Sequence, residues 1–235
     1  MNTLIKLELK KNNIRTYVLA VLTITIIMLG FLYLFAYAPM LEPEDKDMAI
    51  FSGYRNLIPL FGVLNMAVFC VLSAIMYSKF IIEDYSGKRV ILLFSYPVSR
   101  KRMLLSKLGV VGMFTVISMF ISNVAIYLIF GISEQFIHLV NESLTFSIIL
   151  QALKTTLLMS LVAASIGIVA VGIGFIKKSV PTTIVSAVLI ASLMCNVVNT
   201  TSSNRVMYLF AIVMMSIGIL FSMLLMKKIN IMEVE

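Results

Sequence analysis

The sequence predicts an all-α, polytopic membrane protein. Three observations predict it: six apolar runs of roughly twenty residues, the length that crosses a hydrocarbon core of about 30 Å; a composition that is 60% hydrophobic and only 13% charged; and a mean hydropathy of +1.04, far above soluble averages. Backbone groups find no water in lipid, and continuous runs of this length are wrong for barrel strands, so each run is expected to be a helix.

The six expected spans are Thr16–Ala38, Leu57–Tyr77, Leu108–Ile132, Phe146–Phe175, Val180–Val198 and Val206–Met226. The first is too long for the core of a cleaved signal, and no small-residue cleavage pattern follows it, so it is expected to remain as an anchor. Before it, Asn2 to Arg15 mixes Leu4, Ile5, Leu7 and Leu9 with Lys6, Glu8, Lys10 and Lys11. Part of this stretch alternates as a strand would. Leu, Lys and Glu favour helix, however, and an unpaired strand would leave its edge open, so an interfacial helix leading into the first span is preferred.

Lys and Arg set the expected orientation. Fifteen of the 19 fall at the amino terminus, between spans two and three, between spans four and five, and after the last span; Lys46, Arg55, Lys154 and Arg205 make up the other side. The positive-inside rule then puts both termini in the cytoplasm, which an even number of spans allows. The first outer loop, Pro39 to Asn56, carries Glu42, Glu44, Asp45 and Asp47 and suits a solvated connection. The net charge of +8 is explained by this topology, since basic residues flank spans where anionic headgroups attract them. A nucleic-acid partner is set aside.

Few polar groups lie within the spans. Lys154 is placed to snorkel, and Asn65, Asn123 and Asn196 read as lone polar groups. No Asp, Glu or His falls at mid-depth, where an ion-coupled carrier would bind its ion. Cys70 and Cys195 fall in spans without metal or redox spacing and read as buried free thiols. Glu134 to Val140, with His138, reads as an amphipathic surface helix in an outer loop. Ala163, Gly167, Ala170 and Gly174 share one face of the fourth span, which lets another backbone approach closely, either within the subunit or across a subunit contact. Catalytic patterns are missing: there is no His-Glu-x-x-His, no Gly-x-Ser-x-Gly and no buried carboxylate pair. Gly172, Gly174, Lys177, Lys178 and Ser179 fail the spacing of a phosphate loop. The chain is not expected to bind or hydrolyse ATP by itself.

The stretch 83–107 is different. Val90 to Phe94 is apolar but too short to cross, and Glu83, Asp84, Lys88 and Arg89 flank it on one side and Arg100, Lys101 and Arg102 on the other. Such a segment lies at an interface, apolar side against lipid or a protein groove. Pro97 ends a helix or starts a turn, and Ser99 is placed to cap the third span. Two readings stand on these residues: a solvated positive-inside loop with an incidental apolar patch, or a short rod whose displacement moves both neighbouring spans.

Glu83, Gly87, Leu92, Leu93, Ser95, Pro97, Val98, Ser99, Arg100 and Lys107 resemble the loop between the second and third spans of ABC-2 type transporter permeases, with Lys88 where a Thr often follows the Gly. The resemblance extends over the whole chain in span number and length. It implies that this loop is a coupling helix docking on a separate ATPase, with Glu83, Asp84, Gly87, Lys88, Arg89, Leu92, Leu93, Pro97 and Arg100 as its coupling residues. It further implies a second permease subunit, identical or homologous, enclosing the transport path. ATP and magnesium would sit on the ATPase, with no cofactor in this chain. The small permeases of bacterial exporters for peptides, lantibiotics or bacitracin are the implied relatives, and the bacterial plasma membrane the implied location. The competing reading is an accessory or structural membrane protein without transport activity.

Overall fold

Lipid offers a backbone no outside partner, so each apolar run closes its hydrogen bonds within a helix. A computed structural model of the chain describes residues 8–9, 11–41, 53–86, 99–137, 140, 145–200 and 204–231. Among these, six helices follow in order: α1 (Ile14–Leu41), α2 (Tyr54–Tyr77, continued by a π-helical turn at Ser78–Ile82), α3 (Arg100–Ile137), α4 (Phe146–Lys177), α5 (Val180–Thr200) and α6 (Asn204–Ile231). All but α5 are long and apolar enough to cross a membrane, and α5 has a shorter apolar part, Val180–Asn196. The protein is a polytopic, all-helical membrane protein.

The helices differ in how much they bury. Of the most apolar stretch of α4, 72% is buried inside the bundle, against 11% for α1. Helix α4 packs on α2, α3, α5 and α6, while α1 packs on α3 and α2. The sequence explains why α4 is central. Its small residues let neighbours come close: the Cys70 thiol of α2 donates to the Ala163 carbonyl (3.8 Å), Ala170 sits with Ala74 and Ala187, and Ser186 of α5 donates to the Ala170 carbonyl (3.5 Å). A side chain at Gly167 would lie 3.1 Å from Ser73 Cβ, and one at Gly174 would lie 3.1 Å from Thr183 Cα. Within the chain, this face therefore meets α2 and α5.

Helix α4 ends where Lys178 adopts a left-handed conformation (φ 48°). The Lys178 N–H then donates to the Phe175 carbonyl and the Ser179 N–H to the Gly174 carbonyl, at 3.4 and 3.2 Å, closing the last turn as a Schellman motif. Asn13, at the entry to α1, is the other non-glycine residue with positive φ among the described residues (33°).

Two expectations need correction. Asn65 and Asn123 are not lone groups: both are fully buried, and the Asn65 amide donates to the Asn123 side-chain carbonyl, whose own amide donates to Thr156 Oγ1 at 3.4 Å. Burial without a partner would be costly, so the two amides meet across α2 and α3. Nor do Glu134 to Ile137 form a separate surface helix. They are the last turn of α3, and the buried Glu134 carboxylate accepts the Val140 N–H at 2.6 Å. His138 lies outside the described residues. Cys70 and Cys195 are free thiols, the first buried and the second half-buried.

Candidate functional site

At the end of α2 the helix widens. The Glu83 N–H reaches back five residues to the Ser78 carbonyl (3.0 Å), whereas the Tyr85 N–H reaches back four, to Ile81 (2.9 Å). A change from five-residue to four-residue spacing leaves one carbonyl of the pair Lys79 and Phe80 without a helical N–H. The Lys107 ammonium, from the second turn of α3, donates to the Phe80 carbonyl at 2.8 Å.

Lys107 is buried completely, with 0% of its side chain exposed, and Asp84 retains 6%. A buried ammonium must satisfy three donors. Lys107 has the Phe80 carbonyl, the Asp84 carboxylate as hydrogen-bonded ion partner, and Glu8 Oε1 at 3.4 Å. Lys11 approaches the same Asp84 carboxylate from the amino-terminal side, 2.7 and 2.9 Å from its two oxygens. Burial pushes the Asp84 carboxyl towards a higher pKa, but hydrogen bonds and charge from Lys107 and Lys11 outweigh it and hold the group below its ordinary value. Beside it, Tyr85 is buried edge-on against Phe175 of α4 (5.8 Å between ring centres). Its hydroxyl is pushed well above the usual range, first by burial and then by the negative charges of Asp84 and Glu8. The Tyr77 hydroxyl adds a bond to the Leu108 carbonyl (3.1 Å).

Of the residues expected to couple to a partner, Asp84 lies in this cluster, Glu83 is half-buried beside it, and Arg100 is half-buried at the start of α3. Gly87, Lys88, Arg89, Leu92, Leu93 and Pro97 lie outside the described residues. Helix α3 starts where Ser99 contributes its carbonyl to the Met103 N–H (3.2 Å), well before the apolar run begins. The contacts of Glu8 and Lys11 were not foreseen, and neither was the pairing of Asp84 with Lys107. The signal available was a basic residue seven positions into α3 and an acid at the end of α2, on the same side of the membrane. Among the described residues, no group of three or more His, Cys, Asp or Glu side chains could hold a metal ion.

The Asp84–Lys107 pair joins the end of α2 to the second turn of α3, and Lys11 and Glu8 join the amino-terminal side to the same pair.

Residues 4–193 match the family model described as ABC-2 family transporter protein. The chain belongs to the ABC-2 transporter family. It is also 31% identical over 206 residues to the uncharacterized protein YcbO of Bacillus subtilis (strain 168), covering 88% of this chain and 89% of that protein. No solved structure matches. As an ABC-2 family member, the chain is a membrane component of a transporter, a class that generally pairs with an ATPase subunit.

Proposed function

We propose that this chain is the permease subunit of an ATP-driven exporter. In this reading it lies in a bacterial plasma membrane with both termini in the cytoplasm, and moves amphipathic peptide, antibiotic or lipid-like cargo through a pair of permease subunits. ATP and magnesium would act on a separate ATPase, which docks on the segment 83–107 and so reaches Glu83, Arg89 and Arg100. The observation that supports the reading is the Asp84–Lys107 junction. An ATPase that closes on ATP can drive a bundle between two states only through contacts that differ in those states, and an ion pair that joins the helices on both sides of the docking segment passes such a push to both. The excess of Lys and Arg beside that segment, on the side expected to be cytoplasmic, agrees.

The test is copurification and coupled activity. The chain, expressed in its native host, should copurify with an ATPase, and Glu83→Ala and Arg89→Ala should weaken copurification or uncouple ATP hydrolysis from export. Unchanged export and copurification in both variants would remove the docking role. Absence of any copurifying ATPase would favour the accessory reading.

A further inference from the structure

The opposite end of the bundle from Lys107 contains a cavity of 260 Å³, formed where α2 begins, α3 ends and α4 begins. Its deep wall is apolar and buried: Leu57 and Ile58 of α2, Phe130 of α3 and Ala152 of α4. Its mouth lies between α3 and α4, where Leu128, Ile132, Ile149 and Leu153 are exposed. These four belong to helices that cross the membrane, so the mouth is continuous with the lipid-facing surface. The polar side chains that line the cavity include Gln135 near the end of α3 and Tyr54 at the start of α2, both at the helix ends where headgroups lie.

We propose that this cavity binds one acyl chain of a bilayer phospholipid from the adjacent leaflet. Three features select that occupant. An open apolar cavity at membrane depth is bathed by hydrocarbon, not water, and an apolar cavity does not hold water in any case. The opening is lateral, which admits a chain from within the leaflet. Gln135 and Tyr54, at the helix ends, suit a lipid whose chain points inward and whose ester and headgroup remain at the membrane surface, while Tyr127, deeper on α3, is a further polar side chain in a lining that is otherwise mostly apolar. The site is separate from the Asp84–Lys107 junction and requires neither the ATPase nor the transport reading.

The chain contains no Trp, so a single introduced Trp reports on one place. Phe130→Trp and Ile58→Trp place reporters on two walls of the cavity. Phe69→Trp, fully buried in the core, and Ile121→Trp, exposed on α3, serve as references. Each variant of the full chain is reconstituted in vesicles of dioleoyl phosphatidylcholine or of its dibrominated-chain analogue. Both cavity reporters should lose emission in brominated vesicles to the degree that Ile121→Trp does, although both sites are buried, and adding Ala152→Phe to fill the cavity should restore it. Quenching no greater than that of Phe69→Trp, from an empty cavity or one covered by protein, overturns the proposal. So does quenching that persists unchanged with Ala152→Phe.

Discussion

The Lys107 ammonium is fully buried and pairs with the Asp84 carboxylate, joining the start of α3 to the end of α2 across the connection between them. Burying two charges is expensive, and the pair is tolerated because the Lys107 ammonium has three acceptors and both Asp84 oxygens have a donor. Removing Asp84 takes from Lys107 its closest counter-charge. Asp84→Leu should lower stability by about 3–5 kcal/mol, since Lys107 then keeps only the Phe80 carbonyl and Glu8 at 3.4 Å. Lys107→Met should cost less, because Lys11 still neutralises Asp84. Their combination should be more stable than Asp84→Leu alone, as replacement of a buried pair by apolar groups is often neutral. Thermal unfolding of the four forms in detergent measures this coupling; strictly additive losses would contradict it.

The same pair gives a pH dependence. Asp84 has a folded pKa below its ordinary 3.8, so the folded state holds its proton more weakly than the unfolded state. The stabilisation it contributes is fully present above pH 3.8 and is lost as pH falls through the lower folded value. Wild-type melting temperature should therefore drop more steeply on acidification below that point than the melting temperature of Asp84→Asn. Parallel profiles would show that Asp84 is not the group responsible.

Glycine substitutions separate close approach from open space. A side chain at Gly167 meets Ser73 and Tyr77, while at Gly174 the obstacle includes the Thr183 backbone, 3.1 Å away at Cα. Leu at either position should destabilise by about 1–3 kcal/mol or more through overpacking, with Gly174 the worse because backbone yields less than a side chain. Gly30 and Gly109 have nothing within 4 Å of an added Cβ, so Gly30→Leu and Gly109→Leu should leave expression and melting temperature close to wild type. Equal losses at all four sites would indicate a general intolerance of bulk.

The spans were legible because lipid imposes one local rule, a long apolar run, and hydropathy reads that rule directly. It reads only the apolar part, however. Helix α3 begins at Arg100 rather than Leu108 because Arg100, Lys101, Arg102 and Lys107 continue the same hydrogen-bonded helix beyond the apolar stretch. The small-residue face of α4 was legible as a three-four spacing, since helical geometry places those residues in line, but which helices it meets was not. Pairings between distant positions carry no periodic signal. Asn65 and Asn123 are 58 residues apart, and Lys11 and Asp84 are 73 apart. Asn65 and Asn123 read as lone polar groups, Lys11 as part of a basic interfacial helix and Asp84 as a coupling residue, until the fold brought each to its partner. The π-helical turn at Ser78–Ile82, which frees a carbonyl for Lys107, has no counterpart in the local composition.

Lys177 and Lys178 are adjacent and chemically identical, yet Gly should affect them in opposite directions. Lys178 has φ 48°, where the Cβ of an L-residue crowds the following carbonyl at a cost of about 1–2 kcal/mol. Lys178→Gly removes that crowding and keeps the two N–H donations that close α4, offset in part by the greater freedom of Gly in the unfolded chain. A net gain of about 0.5–1 kcal/mol should result. Lys177 is the last residue of α4, in right-handed helix, where Gly has no steric advantage and costs up to about 1 kcal/mol. Melting curves of the two single variants should thus move apart, Lys178→Gly upward and Lys177→Gly downward. A fall for both would mean that the Lys178 side chain stabilises the α4–α5 turn by more than its backbone conformation costs.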